Sequence, residues 1–500
     1  MHHNVLKVIS LLVVSFGWGC LHSQNSFTTI FNSSYSEYVD PFIENSKGEY
    51  IGYIFIEDSD LVDYSYLYKL ASNGDTIHSR RFEKIDTLLF MENVIQTNTN
   101  PIEYLLEGKG YNTVEPLTHV FTFFTKIDSS FNTIWEKTYQ LRPINNLYYE
   151  IYAHLLQKKD SGYFYATGFK SIISDMNTMI LFDLGENGDS LAYRTYEGDS
   201  AGVQLMDVMY NHDSSAYLLL TDYAHHLPST GATCITVDFD FNQTSVFHYP
   251  RYFDDGLTGK LLPNGELLTG ALYENKYDFH AMYSNMAVYK YDTSFNLLAE
   301  CYVADPDFEI RKDNGFRTID YYYPNSIFVA GTFDYDYGIW VQHPSWIVIG
   351  KMDSDLNLIS EKYIGGDAYY RFCNLAATSD GGLLITANRY DYLAQGQEHD
   401  AYIFKLDSMD LTVGLIEYDN TRLADAIIYP NPASEYLFVR TAIKNADFVL
   451  FDMVGTKLQH IPLSNLITKM NLDGVPSGTY LWGIYQNSTL IETGKLIVTN

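Results

Sequence analysis

Five hundred residues exceed what one ordinary hydrophobic core organises, so the chain holds two or more domains or one large repeat fold. Hydrophobic residues make up 46% and charged ones 19%, which excludes a disordered chain, and 44 Tyr with 29 Phe favour half-buried pleated strands. Asp and Glu number 62 against 32 Lys and Arg, a net charge of −30 that repels phosphate backbones and anionic membranes; no basic cluster overrides it, so no nucleic-acid partner is expected.

At the N-terminus, Lys7 supplies a small positive charge and residues 8–16 (VISLLVVSF) an apolar run too short to span a bilayer. Residues 1–23 therefore read as a signal peptide cleaved after Ser23, and no later stretch is apolar enough for an integral membrane protein. Cys20 offers a rival reading as a lipid-attachment cysteine, against which the bulky Trp18 counts. The remaining cysteines, Cys234, Cys301 and Cys373, are odd in number, widely spaced and lack metal-ligand spacing, so they read as small apolar residues in strands.

The middle of the chain repeats. A strand ends in a basic or polar residue, a turn rich in Asp, Asn and Gly follows, and another strand begins. Lys69-Leu-Ala-Ser-Asn-Gly-Asp, Lys126-Ile-Asp-Ser-Ser-Phe-Asn and Asp183-Leu-Gly-Glu-Asn-Gly-Asp are the first copies; others start at Thr236, Lys290, Lys351 and Lys405. The intervals are 57, 57, 53, 54, 61 and 54 residues. Each period carries about four strand signals; in the last they cover 372–378, 383–388, 401–406 and 411–416. Units of about 50 residues with four strands each predict an all-β chain with a seven-bladed β-propeller over 24–421, its turns made by residues that tolerate positive φ. Residues 26–31 (SFTTIF) and 411–418 (LTVGLIEY) both have strand composition and no partner of their own, so both are expected beside the seventh blade, one of them closing the ring.

From residue 422 the texture changes. Tyr429-Pro430-Asn431-Pro432-Ala433 opens a new unit, Phe451-Asp452-Met-Val-Gly455 marks a hairpin, Pro476-Ser477-Gly478-Thr-Tyr480 a turn, and Lys495-Leu-Ile-Val a terminal strand. About seven short strands separated by turns predict a small Ig-like β-sandwich over 422–500. In this order the elements resemble the type A C-terminal sorting domain of type IX secretion, over residues 427–500, and the preceding repeats resemble propeller-like repeats of proteins exported that way. The resemblance implies recognition by the secretion machinery, then release or attachment to the outer cell surface, with Tyr429, Pro430, Asn431, Pro432, Asp452, Gly455, Gly478, Tyr480 and Lys495 as the motif residues.

Chemistry is sparse. Neither HExxH, GxSxG, a Walker loop nor a dinucleotide fingerprint is present. Asp353-Ser-Asp355-Leu-Asn357 begins like a calcium loop but lacks its Gly and Glu, and coincides with a repeat turn. His225-His226 beside Asp222, with His212-Asp213 nearby, lacks a third metal ligand; Asp254-Asp255 and Asp305/Asp307 are acidic pairs of the kind expected in so acidic a chain. Neither catalytic residues nor cofactor or metal sites are assigned. Tyr321-Tyr322-Tyr323 and Tyr390-Asp391-Tyr392 are candidates for stacking on sugar rings, with packing between blades as the competing role. The expected function is a secreted or surface binding module for a glycan or a protein, the alternative a secreted enzyme acting on polysaccharide at the propeller mouth.

Overall fold

The computed structural model describes residues 26–498, apart from 34, 58–62, 84–86, 113–119, 141–147, 172–176, 198–202, 224–231, 250–256, 275–283, 304–311, 314–317, 337, 339, 395–397, 409–410, 412–425, 430–432, 434–435, 442, 444, 464–466, 473 and 487–488. Residues 1–23, expected as a signal peptide, lie outside the described residues. Every regular element among the described residues is a β-strand. Two compact units are present, Met1–Ile364 with Tyr370–Leu415, and Gly365–Tyr369 with Ile416–Asn500.

In the first unit the described strands form seven antiparallel sheets of four or five strands. Six follow one another along the chain, within 36–82, 87–139, 148–197, 203–248, 258–303 and 312–365. The seventh joins Tyr369–Ala377, Leu383–Tyr390 and His399–Leu406 to Phe27–Phe31 from the other end of the chain. Composition decides which strands lie inside. Tyr50–Glu57 and Trp346–Met352 are buried almost throughout, whereas Thr76–Phe82 and Thr133–Tyr139, the last strands of the first and second sheets, expose most positions. Apolar clusters fill the space between successive sheets: Leu105, Phe124, Tyr163 and Tyr165 join the second to the third, and Leu268, Val288, Ile327 and Val348 the fifth to the sixth. The order of contacts returns to its start, because Ser36–Val39 of the first sheet packs on Leu383–Tyr390 and His399–Leu406 of the seventh. Phe31, Val39, Tyr50, Leu384 and Ile403 share that junction.

The repeated turn is built by its aspartate. Asp128 Oδ1 accepts from the backbone N–H of Ser130 and Asn132, and Oδ2 from the Asn132 amide; Asp238, Asp292 and Asp353 do the same. This consumes the carboxylate that a calcium loop would need, so Asp353 to Asn357 is a turn. The sequence places positive φ on glycine and polar residues, and Gly74 (84°) and Gly188 (77°) take it. In four other copies a bulky residue occupies the same position: Phe131 (63°), Phe241 (63°), Phe295 (61°) and Leu356 (63°). Phe131, Phe241 and Leu356 are buried, which offsets the steric cost.

The marker lysine has a structural task. Lys69 Nζ donates to Ser129 O at 2.6 Å and Lys290 Nζ to Ser354 O at 2.7 Å, each reaching the turn of the next sheet. Lys126 pairs with Glu103 at 2.8 Å and lies 3.6 Å from Glu186 of the next sheet's turn. At the seventh marker the pattern breaks: Lys405 turns back onto Asp380 at 2.9 Å, and the outermost slot is filled by Phe27–Phe31 paired with 401–405. Of the segment 411–418, also expected beside this sheet, only Leu411 is described, and it lies in a turn rather than a strand.

The second unit carries a three-stranded sheet (Ile427–Tyr429, Tyr436–Arg440, Ile467–Asn471) and a four-stranded one (Lys457–Leu463, Ala446–Phe451, Gly478–Gln486, Thr489–Val498). Leu437, Val439, Phe448, Leu450, Trp482, Ile484 and Leu496 form its own core, with the Phe448 and Trp482 rings stacked at 5.8 Å.

Candidate functional site

Three of the motif residues of the second unit, Gly478, Tyr480 and Lys495, lie on its last two strands. Gly478 opens Gly478–Gln486 opposite Val498, Tyr480 stands opposite Leu496, and Lys495 is opposite Leu481. Tyr480 is buried and its hydroxyl donates to Pro476 O, closing the Pro-Ser-Gly turn. Ala433 N–H donates to Ile497 O at 2.8 Å, so the residue after the Pro-Asn-Pro motif is tied to the terminal strand. Asp452 Oδ1 accepts from the N–H of Val454 and Thr456, and Gly455 takes φ 86° in that hairpin. The Thr456 backbone N–H, first, holds the Asp452 carboxyl below its usual range. Tyr429 pairs with Phe438 through its backbone. Pro430, Asn431 and Pro432 lie outside the described residues. A groove of about 520 Å³ runs along Gln459 to Ile461 and Lys469 to Asn471.

In the first unit, titratable and aromatic groups gather where the first sheet meets the seventh, at the strand ends away from the Asp380 turn. Antiparallel register sets the arrangement: Arg389 stands opposite Asp400 and Tyr390 opposite His399. Arg389 Nη1 donates to Asp400 Oδ2 at 3.2 Å. The His399 ring is buried among Tyr38 (5.3 Å), Tyr390 (5.5 Å) and Trp340 (4.8 Å). Trp340, in the connection between Ile327–Phe333 and Trp346–Met352, also meets Tyr390 edge-on at 5.1 Å, whose hydroxyl accepts from the Gln342 amide. Arg371 lies 4.1 Å from the Phe372 ring and its Nη1 is 3.5 Å from Gly338 O. Glu37 is fully buried and accepts from the Ser33 hydroxyl. Burial, reinforced by Asp400 and Glu398 nearby, pushes its carboxyl up to about 8 despite the Ser33 bond; burial pushes Asp400 up to about 6 against the pull of Arg389.

This gathering was not legible as a site in the sequence. Glu37 and Asp400 are 363 positions apart, and only Tyr390 and Asp391 stood out beforehand. The other sequence candidates scatter. Tyr322 and Tyr323 are exposed at a turn of the sixth sheet, where Tyr323 donates to Ser379 O of the seventh at 3.2 Å. Asp213 accepts from Ser215 within a turn beside His212. His225, His226, Asp254, Asp255, Asp305 and Asp307 lie outside the described residues. Cys234, Cys301 and Cys373 are buried free thiols, and burial raises all three.

No curated protein matches the chain. Among solved structures, the polysaccharide lyase Uly1 aligns at 8% identity over 74% of this chain and 89% of its own, with a TM-score of 0.46. BBS1N, in complex with ARL6DN, aligns at 11% identity over 77% and 97% with a TM-score of 0.41. The NanB sialidase of Streptococcus pneumoniae aligns at 12% identity over 76% and 70% with a TM-score of 0.38. Their activities stay with those proteins. No helix among the described residues is long and apolar enough to cross a membrane. The family model for the secretion system C-terminal sorting domain matches residues 427–499, over the strands and turns just described. Those residues are a C-terminal sorting domain of the type IX kind, and the protein that carries them is secreted or attached to the outer cell surface.

Proposed function

We propose that residues 24–421 form a seven-bladed β-propeller serving outside the cell as a non-catalytic binding module for a glycan or a protein. Residues 1–23 act as a cleaved signal peptide, and 422–500 form an Ig-like sandwich that addresses the protein to the type IX machinery. Support for seven blades comes from the order of sheet contacts, which returns from the last to the first. The observation that carries the binding role is the aromatic cluster at the junction of the first and seventh sheets: Trp340, 36% exposed, lies against Tyr390 and His399, and Tyr38 of the first sheet meets the same imidazole. A glycan array probed with the mature chain, run beside a polysaccharide depolymerisation screen, tests this. Selective retention on the array without depolymerisation is expected.

One observation favours a second reading, an enzyme acting on polysaccharide. Glu37 and Asp400 are neighbouring carboxyl groups whose environments push them to about 8 and about 6, the kind of separation that lets one carboxyl act as acid while another is ionised. Depolymerisation that disappears in Glu37→Gln would replace the binding role with this one.

A further inference from the structure

Successive sheets of the first unit are clasped by their last strands, and the first clasp is incomplete. At equal distances after the first three repeat markers stand Arg80, Lys137 and Arg194, followed two residues later by Phe82, Tyr139 and Tyr196. Lys137 Nζ of the second sheet donates to Asp189 Oδ1 at 2.7 Å and the Tyr139 hydroxyl to Gly188 O at 2.5 Å, both in the turn of the third sheet. Arg194 Nη1 of the third sheet donates to Phe241 O and to Asn242 Oδ1, each at 2.8 Å, and the Tyr196 hydroxyl also donates to Phe241 O. The first sheet keeps one of these bonds: Arg80 Nη1 donates to Phe131 O at 2.7 Å. Phe82 has no hydroxyl to add, and Arg80 makes no bond to Asn132, the counterpart of Asn242. At this place a cavity of about 240 Å³ opens between the first and second sheets.

The lining of the cavity selects its occupant. Phe82, Leu89, Phe121 and Phe123 make an apolar wall. Of the four charged groups, Arg81 and Glu83 neutralise each other: Arg81 Nε lies 3.1 Å from Glu83 Oε2, and its guanidinium covers the Tyr64 ring at 4.2 Å. Arg80 of the first sheet and Glu136 of the second also line the cavity, yet neither forms an ion pair among the described residues. The Arg80 guanidinium is half-buried, with the Phe82 ring 4.6 Å away; burial depresses it, and Glu136 only partly offsets this. A partly desolvated cation without a counter-ion is unfavourable, and its fork of N–H donors suits a carboxylate. The four charges sum to zero, so a ligand with a lone negative charge meets Glu136 and one with a lone positive charge meets Arg80. A zwitterion answers both, and an apolar side chain answers the phenylalanines. A neutral sugar would leave both charges uncompensated and set its hydroxyl groups against the apolar wall. The cavity is smaller than the roughly 300–1,000 Å³ of sites for drug-sized ligands, which limits the occupant to one small molecule.

We propose that the cavity between the first and second sheets binds a free α-amino acid with an apolar side chain, its carboxylate on Arg80, its ammonium group on Glu136 and its side chain against Phe82, Phe121 and Phe123. This site is separate from the aromatic cluster of the first and seventh sheets and does not rest on the binding role assigned there.

Isothermal titration calorimetry of the mature full-length chain against L-leucine, L-methionine and L-phenylalanine tests the site. At least one of the three should bind. For leucine, isocaproate keeps the carboxylate and side chain without the ammonium group, and isoamylamine keeps the ammonium group and side chain without the carboxylate; each should bind about tenfold more weakly or worse. Glu136→Gln, an exposed position, should weaken amino-acid binding by about tenfold and leave the melting temperature unchanged. Arg80→Gln should abolish binding, whereas Arg194→Gln, which removes the equivalent clasp of the third sheet, should leave it intact; that contrast separates a ligand contact from a loosened array. If Arg80→Gln fails to fold, Glu136→Gln and the two analogues still decide the matter. Failure of all three amino acids to bind overturns the site. So does equal binding by wild type and Glu136→Gln, or binding of either analogue as tight as that of leucine.

Discussion

At the sixth position of the first six repeat markers the backbone is left-handed, and the protein supplies either glycine or a bulky apolar residue there. Glycine at 74 and 188 enters the region without strain; Phe131, Phe241 and Leu356 enter it at a steric cost that burial of the side chain offsets. The surrounding space differs accordingly. A Cβ on Gly188 would stand 2.6 Å from the Trp135 ring, which packs on the turn from the preceding sheet. Gly188→Val therefore combines a forbidden φ with a clash, and should destabilise by about 1 kcal/mol or more; a chemical-denaturation midpoint equal to wild type would count against the hairpin. A sequence reading finds the glycines and polar turn residues. It does not find the phenylalanines, because a propensity scale assigns Phe to strands and cannot weigh a burial that only the neighbouring sheet provides.

At the level of single elements, the strand Phe27–Phe31 holds the two ends of the repeat array together. It pairs with 401–405, buries Phe31 at 2% exposure, and Thr29 donates to Gly74 O at 3.2 Å in the first sheet. Deleting residues 24–34 exposes the edge of His399–Leu406 and forfeits about 1.5–3 kcal/mol for Phe31 alone. The melting temperature should fall by at least several degrees, measured calorimetrically; an unchanged transition would mean that the strand is a leader and closes nothing. Glu37 makes the same junction sensitive to pH. Its carboxyl is raised from 4.5 to about 8, so the folded chain binds a proton there that the unfolded chain releases. That contribution is fully present below about pH 4.5 and is lost as pH rises through about 8. Asp400, raised from 3.8 to about 6, acts in the same direction. Glu37→Gln, permanently neutral, should melt above wild type at pH 8.5 and close to it at pH 5, with the difference growing across that range. A constant difference at all pH values would show that Glu37 does not titrate in the junction.

For the whole molecule, the sorting domain and the repeat array have separate cores: the cluster around Phe448 and Trp482 draws on residues 426–498. Removing residues 422–500 should leave the remainder folded, with an unchanged far-ultraviolet spectrum, but retained in the periplasm. Wild-type amounts of the truncated protein in the medium would refute the role of the domain in export. The sorting domain was the most legible part of the chain because its signals are local: Asp452 to Gly455 and Pro476 to Tyr480 are turns whose hydrogen bonds close within a few residues. The repeats were legible for a related reason, since Asp128, Asp238, Asp292 and Asp353 each build their turn from the four residues that follow.

What lies beyond that reach was decided by tertiary structure. Local hydrogen-bonding chemistry and the period of the apolar pattern are written in adjacent residues, so the sequence by itself determined the all-β class, the spacing of the repeats and the C-terminal address. Which strand fills the seventh sheet's outermost slot was open between 26–31 and 411–418, because both are apolar and unpartnered; only the packing of Phe31 and Thr29 against the first sheet chose the former. The junction was likewise invisible, since Glu37 and Asp400, and Tyr38 and His399, are ordinary residues at opposite ends of the chain. Glu37 and Asp400 act on one another, and the Tyr38 and His399 rings meet, only because the first sheet packs on the seventh.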